Sequence, residues 1–356
     1  MYRAPQPECT QVTILLRRHS RRIALYASST ANRGGTGVYT ARLIEGFKKA
    51  GISQVVPVGL SGSGFPGKLI SEHVGLRRVL RKQHFDLAHL PAFAGGVPGG
   101  MPYAVTVHDM AFMAEPRWFP FLKSLYYRLH FPKVAAGASV VIADSDFTVS
   151  EIKKYMGLSS TRVYLSAPEN TASDAMFRKA FGIAGDYILS TSTIEPRKNI
   201  DALLEAWPQI RQVHPKMTLV VAGRWGWGKR KTKKALLNTP GGVRWIGSVR
   251  EQLLSSAFSG AELLVYPSLY EGFGLPPLES AASGVPFVTG PAKTLQEVYG
   301  AVAAAISGRT SQSIVEAVLN ALEKKYNPED LRQFAGRFTC RGMAENTFQA
   351  YGEAFQ

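Results

Sequence analysis

Tyr266-Pro-Ser-Leu-Tyr-Glu271-Gly-Phe-Gly274-Leu-Pro-Pro-Leu-Glu279-Ser-Ala-Ala-Ser-Gly284 reads as a strand, a glycine-rich turn and a helix in immediate succession. The apolar run from Leu263 to Tyr266 supplies the strand. Pro276 and Pro277 fit a helix start near Leu275, because a proline lacks only an N–H that would be unpaired there. The free N–H groups and dipole of such a helix make an anion site above the strand end. Glu271 in the turn and Glu279 in the helix have seven residues between them. Carboxylates beside an anion site suit a ligand with both sugar hydroxyls and phosphate. The plainer reading is a loop acid followed by a helix glutamate that is favourable with the dipole alone.

Outward from this stretch, short apolar strands alternate with amphipathic helices, the pattern of an α/β chain with parallel sheets. Strands are expected at 23–28, 54–58, 86–90, 103–107 and 139–143, and again at 187–191, 217–222, 243–246, 262–266 and 286–289. Helices are expected near 37–50, 147–155, 199–213, 250–258, 276–283 and 311–325. The pattern restarts near Tyr187, after a linker rich in Pro, Asn and Gly. The expected division is a basic extension over 1–22, a Rossmann-like domain over 23–170, a second over 171–338, and a C-terminal helix over 339–356. Ligands of such sheets lie beyond the carboxyl ends of the strands.

Three further groups stand at such ends. Glu195-Pro-Arg197-Lys198-Asn199 follows the strand at 187–191, and two cations near a helix start suit a diphosphate. Asn199 is placed to cap the helix that follows. Gly34-Gly35-Thr36-Gly37 opens the first helix, where bare backbone N–H groups at Gly35 and Gly37 can approach an oxyanion. No acid ends the strand at 55–58, where an NAD-binding domain would hold a ribose. His108 follows the strand at 103–107 and can exchange hydrogen bonds with hydroxyls. Asp144-Ser145-Asp146 has the spacing of a metal motif, but its position favours helix caps. No metal site is expected, and no His/Cys/Asp cluster has ligand spacing.

The Glu-Gly-Phe-Gly-Leu-Pro-Pro-Leu-Glu run resembles the Glu-x7-Glu signature of retaining glycosyltransferase family four, the glycosyl transferases group 1. Glu-Pro-Arg-Lys-Asn matches the same family. The resemblance covers residues 23 to about 300 and implies the GT-B fold: two Rossmann-like domains facing a central cleft, with the last helix crossing back to the N-terminal domain. It also implies no cofactor, only a nucleotide diphosphate sugar as donor. Lys198 would contact the donor phosphates, with Arg197 second, and this weighs more on Lys198 because Ser192 stands where many relatives carry an arginine. Glu279 would hold the ribose and Glu271 the sugar. His108 would reach the transferred sugar, the Gly35–Gly37 loop would face phosphate and acceptor, and N–H groups at Gly274 and Leu275 would meet the leaving phosphate. The implied reaction moves a hexose, with the family pattern leaning to mannose, onto a lipid-linked or polysaccharide acceptor. A sugar-nucleotide epimerase on the same fold is the enzyme alternative. A basic nucleic-acid binder is the other class, but no recognition motif supports it and no nucleic acid is expected.

The 356 residues suit about two domains. Cys9 and Cys340 imply no disulfide framework, so a reducing cytoplasm is expected. The net charge is +16, of which the first 22 residues leave +12 to the remainder. Arg77, Arg78, Arg81 and Lys82 cluster together, as do Arg224, Lys229, Arg230, Lys231, Lys233 and Lys234. Such surfaces suit an anionic partner, and a peripheral place on the cytoplasmic face of a membrane is expected. The aromatic and basic stretch over 118–131 reads either as an interfacial helix or as a core helix, and the core reading is favoured.

Overall fold

The computed structural model describes residues 21–27, 34–59, 76–92, 99–169, 173–238 and 240–356. Most of the expected N-terminal extension and Arg81's side chain therefore lie outside the described residues. Two compact units emerge. The first comprises the chain to Pro116, Phe121–Ser166 and Phe338–Gln356; the second comprises Arg117–Pro120 and Ala167–Arg337.

In the first unit the elements run β1 (Ile23–Tyr26), α1 (Gly35–Lys49), β2 (Val55–Val58), α2 (Leu76–Gln83), β3 (Leu87–Leu90), β4 (Tyr103–Val107), α3 (Ala111–Ala114), α4 (Phe121–Ala136), β5 (Val140–Ala143), α5 (Asp146–Met156) and β6 (Thr161–Arg162). The second unit continues with α6 (Ala175–Phe181), β7 (Tyr187–Thr191), α7 (Ile200–Val213), β8 (Thr218–Ala222), α8 (Arg230–Asn238), β9 (Val243–Gly247), α9 (Glu251–Ser259), β10 (Leu263–Tyr266), α10 (Leu275–Ala282), β11 (Phe287–Thr289), α11 (Lys293–Tyr299), β12 (Ala304–Ala305), α12 (Ser311–Glu323) and α13 (Pro328–Ala335). The final helix, α14 (Cys340–Tyr351), belongs to the first unit.

Both sheets are parallel, and each has six strands among the described residues. Their orders are β2-β1-β3-β4-β5-β6 and β12-β11-β10-β7-β8-β9. Strands buried on both faces need continuous apolar runs, and β4, β5, β7 and β10 are buried along their whole length. In the second sheet the direction of winding reverses between β7 and β10, and in the first between β1 and β3. Loops leaving neighbouring strands at a reversal diverge to opposite faces, which opens a crevice at the carboxyl ends.

The second core is layered. Leu203, Ala206, Trp207 and Ile210 of α7 and Ile314, Val315 and Val318 of α12 cover Leu219, Val221, Leu263, Val265 and Val288 of the sheet. Each large side chain removed from water contributes about 1.5–3 kcal/mol. In the first unit α14 lies against α1. Gly46 makes this possible: a Cβ there would stand 2.1 Å from the Cys340 carbonyl oxygen. Tyr351, at the end of α14, bonds through its hydroxyl to His89 Nδ1 on β3 at 2.7 Å, and His89 Nε2 meets Thr106 Oγ1 on β4 at 2.8 Å. Burial, then the nearby charge of His108, lowers the His89 pKa to about 3, so this ring is a neutral structural link.

Apart from helices the sequence reading does not mark, among them α6, α8, α11 and α13, four details differ from it. The edge strands β6 and β12 are only two residues long, too short to be read in advance. Asn199 stands at the α7 start but in a left-handed conformation, φ 55°, without a capping bond. Its amide instead reaches the Arg309 carbonyl at 3.1 Å. The α5 cap is Ser145, which accepts from the Thr148 N–H at 3.1 Å; Asp144 has another partner. Finally, α4 is not a core helix throughout, since Phe121, Leu122, Leu125 and Leu129 are exposed.

Candidate active site

At the reversal of the second sheet, a turn of 3-10 helix, Pro196–Lys198, follows β7, and the glycine-rich turn follows β10. Gly274 stands at φ 88°, a conformation that favours glycine, and a Cβ there would lie 2.7 Å from Leu295 Cδ2. This turn starts α10 at Leu275, with Pro276 in its first turn. The Tyr299 hydroxyl holds the Gly274 carbonyl at 2.6 Å, and the Thr294 hydroxyl holds that of Glu271 at 2.8 Å. The turn is thus fastened from α11 on its far side.

Lys198 and Glu271, 73 residues apart, meet beneath this turn. The Lys198 ammonium donates to Glu271 Oε1 and, at 3.1 Å, to the Tyr266 hydroxyl. Tyr266 in turn donates to the same carboxylate oxygen at 2.6 Å. Arg197 approaches Glu271 Oε2 at 3.5 Å and donates to Glu195 Oε1 at 2.5 Å. Lys198, Glu195 and Glu271 are all buried. Burial alone would push the Glu271 carboxyl up, but the charges of Lys198 and Arg197 outweigh it and hold the pKa at about 2. Burial, reinforced by Glu271, drives the Tyr266 phenol well above its usual range. The group therefore carries two cations and two carboxylates in a dry setting, with Tyr266 a neutral donor.

Glu279 is half-buried, one turn into α10. Arg117–Pro120, although it sits between α3 and α4 in sequence, is part of the second unit. Its Trp118 ring stands edge-on to Tyr270, the neighbour of Glu271, with centroids 6.2 Å apart. The Trp118 carbonyl accepts from Trp227 Nε1 at 2.6 Å.

The remaining candidates lie in the first unit. Gly35 and Gly37 occupy the first turn of α1, after Gly34, with no acid in that turn. His108 directly follows β4, and its Nδ1 meets Asp144 Oδ2 at the end of β5 at 2.7 Å. The rings of Tyr39 of α1 and His108 meet in a T-shaped contact, with centroids 4.9 Å apart. Burial opposes a charge on His108, but Asp144, with a smaller push from Asp109, raises its pKa above the ordinary value. Asp144 is itself pushed up by burial, partly offset by His108. Asp146 turns elsewhere, to Arg162 at 3.0 Å, so the carboxylates of Asp144-Ser145-Asp146 do not converge. Among the described residues no group of three His, Cys, Asp or Glu side chains is gathered to hold a metal.

Sequence reasoning missed Tyr266, Glu195 and Asp144. Tyr266 and Glu195 were in view as a strand end and a loop acid. Their contacts with Glu271 and Arg197 depend on how two loops fold together. The sequence reading makes Asp144 a cap; its position one residue before Ser145, the actual cap, is the signal that separates the two roles.

Two family models match in succession: Glycosyltransferase Family 4 over residues 33–165 and Glycosyl transferases group 1 over residues 175–337. The chain belongs to glycosyltransferase family four. O-antigen chain mannosyltransferase B of Escherichia coli is 28% identical over 286 residues, which is 75% of this glycosyltransferase and 71% of the relative. Sucrose-phosphate synthase of Thermosynechococcus elongatus superposes with a TM-score of 0.74 at 17% identity, over 94% of this chain and 99% of that one. Anabaena HepE, solved in complex with UDP and glucose, gives 0.70 at 16% identity, over 92% and 98%. At such identities these structures establish the fold, which is GT-B.

Proposed function

We propose that this glycosyltransferase moves a hexose, mannose by preference, from a nucleotide diphosphate sugar to a hydroxyl of a lipid-linked or polysaccharide acceptor, with retention at the anomeric carbon and without a metal. What carries the reading is the meeting of Lys198, Arg197 and Glu271 at the strand reversal, directly before the α10 N-terminus. Mannose and a glycan acceptor rest on the O-antigen mannosyltransferase relative; the nucleotide donor rests on HepE with UDP.

The barrier lies in parting the anomeric carbon from the nucleoside diphosphate. Cations and oriented N–H groups that meet the developing charge lower it. Lys198 and Arg197 supply the cations, and the N–H groups at Gly274 and Leu275 supply the dipoles. Lys198 already holds Glu271, so an arriving diphosphate would share the ammonium rather than find it idle. Glu271 faces the sugar as the positive charge grows on its ring, and Glu279 takes the ribose hydroxyls. The acceptor's proton passes to the departing phosphate oxygen as its own oxygen bonds the anomeric carbon. In the first unit, the Gly35 N–H is offered to phosphate or acceptor and His108 to a sugar hydroxyl through Nε2, whereas the expected Gly37 N–H is already held by the Gly34 carbonyl at 2.9 Å.

The direct test is a thermal-shift panel of GDP- and UDP-sugars, followed by mass spectrometry of products with oligosaccharide and lipid-linked acceptors. Release of nucleoside diphosphate that rises with acceptor supports transfer. Interconversion of the donor's sugar without any acceptor would replace it with epimerisation.

Asp144 gives this reading a pH signature. A carboxylate on Nδ1 raises the His108 pKa, so the imidazolium persists to higher pH than an ordinary histidine. Asp144→Asn keeps the shape and removes the charge. The limb of the pH–rate profile governed by His108 is expected to move to lower pH, and the melting temperature to fall where His108 is charged while approaching the wild type as pH rises. An unmoved profile would take His108 out of the reaction.

A further inference from the structure

Four residues between α3 and α4, Arg117–Pro120, pack within the second unit, while the chain on both sides of them belongs to the first. So short a segment has no core of its own and is held by what its side chains meet. Trp118 and Phe119 are both half-buried. The Trp118 ring meets that of Tyr270 in a T-shaped contact, with centroids 6.2 Å apart. Phe119 lies tilted against Trp227 at 5.7 Å, and the Trp227 Nε1–H donates to the Trp118 carbonyl at 2.6 Å. Such aromatic pairs are favourable beyond the area they bury, and they fix the orientation of both rings.

The two partners stand on different loops. Tyr270 is in the turn after β10, and Trp227 is in the loop after β8. Between β10 and β8 in the sheet lies β7, whose own loop carries Arg197 and Lys198. That loop is tied to both of its neighbours. On one side the Ile194 N–H donates to the Arg224 carbonyl at 2.9 Å, and the Gly226 N–H to the Ile194 carbonyl at 3.1 Å. On the other, the Leu269 N–H donates to the Arg197 carbonyl at 2.8 Å, and Arg197 Nη1 to the Tyr270 carbonyl at 3.3 Å. Trp118 and Phe119 then join the first loop of this series to the last through side chains alone. Tyr270 is 8% exposed and directly precedes Glu271. Its Cα lies one peptide, about 3.8 Å, from that of Glu271, so a ring that turns carries the carboxylate with it.

We propose that Trp118 is a positioning residue for Glu271: set on Tyr270, with Phe119 anchored on Trp227, it braces the turn in which the carboxylate meets Lys198 and Arg197. The α11 hydroxyls of Thr294 and Tyr299 hold backbone carbonyls of this turn, whereas Trp118 holds a side chain. A reacting group needs such support, because a displacement of about 1 Å can cost on the order of 10²-fold in rate. The catalytic benefit rests on Glu271 facing the sugar, as proposed above. The brace itself is a property of the folded chain and can be read without turnover.

Hydrogen exchange of the full chain, read by mass spectrometry, compares the wild type with Trp118→Leu and Trp118→Phe. Trp118→Leu is expected to speed exchange of the amides over 268–274 about tenfold or more, while β7 and α14 exchange as in the wild type. Trp118→Phe keeps a ring against Tyr270 and should stay close to the wild type. Phe119→Leu is the milder second variant: it loosens the anchor on Trp227 and should speed the same amides to a lesser degree. It decides the matter if Trp118→Leu speeds exchange throughout the chain. Turnover supplies the second arm. At saturating donor and acceptor, Trp118→Leu should lower kcat about tenfold, with the Kd for GDP or UDP changed by less than about threefold. In a Glu271→Gln background the same substitution should cost little more, because residues that act through one group are not additive. Unchanged exchange over 268–274 in both leucine variants overturns the brace. A faster turn with wild-type kcat, an equal loss of GDP or UDP affinity, or an undiminished loss in the Glu271→Gln background overturns the role toward Glu271. A loosened turn in a chain that transfers no sugar would instead fault the proposed reaction and leave Trp118 as the brace of that turn.

Discussion

Glu271→Gln is expected to lower turnover on the order of 10²-fold or more at saturating donor and acceptor. The change is isosteric, so the effect isolates charge. In the wild type one carboxylate oxygen accepts from Lys198 and from Tyr266, and the other lies 3.5 Å from Arg197. A glutamine keeps one acceptor but turns an NH2 toward a cation. Binding of GDP or UDP should change much less than turnover, because the phosphate contacts belong to Lys198 and Arg197. That separation distinguishes a role in the reaction from a collapse of the site. Turnover near the wild-type value would remove Glu271 from the chemistry.

The same residue predicts acid sensitivity. The folded-state pKa of Glu271, about 2, lies below its ordinary value of 4.5. A depressed acid contributes stability that is complete above the unfolded value and is lost as pH falls through the folded one. Glu271→Gln should therefore flatten the loss of stability between those two values, while His108, whose pKa is raised, acts in the opposite direction at higher pH.

How much of this was legible in the sequence depends on the range of the forces involved. Strands such as Val140–Ala143 and Leu263–Tyr266 announce themselves because burial on both faces demands an unbroken apolar run. Glu271, Gly274 and Pro276 were readable because the turn, the left-handed glycine and the helix start are local geometry. Partnerships across the fold were not. Nothing near Glu271 says that its charge is met by Lys198, and nothing near His108 names Asp144, 36 residues on. Helix α4 shows the other limit. Its composition suited a core, but which of two apolar faces finds a neighbour is decided by tertiary packing.

Lys198→Ala should weaken nucleoside diphosphate binding far more than nucleoside binding. A charge-assisted hydrogen bond contributes roughly 1.5–3 kcal/mol, which corresponds to about 10- to 150-fold in Kd. The structure adds a second consequence, because Lys198 is buried and is the closest cation to Glu271. Removing it leaves a buried carboxylate with Arg197 as its main counter-charge, and truncating one partner of such a pair is strongly destabilising. The Glu271 pKa should rise, so Lys198→Ala should lose stability at neutral pH more than at acid pH. Lys198→Ala with Glu271→Gln should recover part of that stability, yet none of the diphosphate affinity. Calorimetry with GDP and guanosine, and with UDP and uridine, reads the binding arm; chemical denaturation of the single and double variants reads the other. Equal losses for nucleoside and nucleoside diphosphate would confine Lys198 to holding Glu271. Stability recovered together with full diphosphate affinity in the double variant would assign the phosphate to Arg197 and the α10 N–H groups instead.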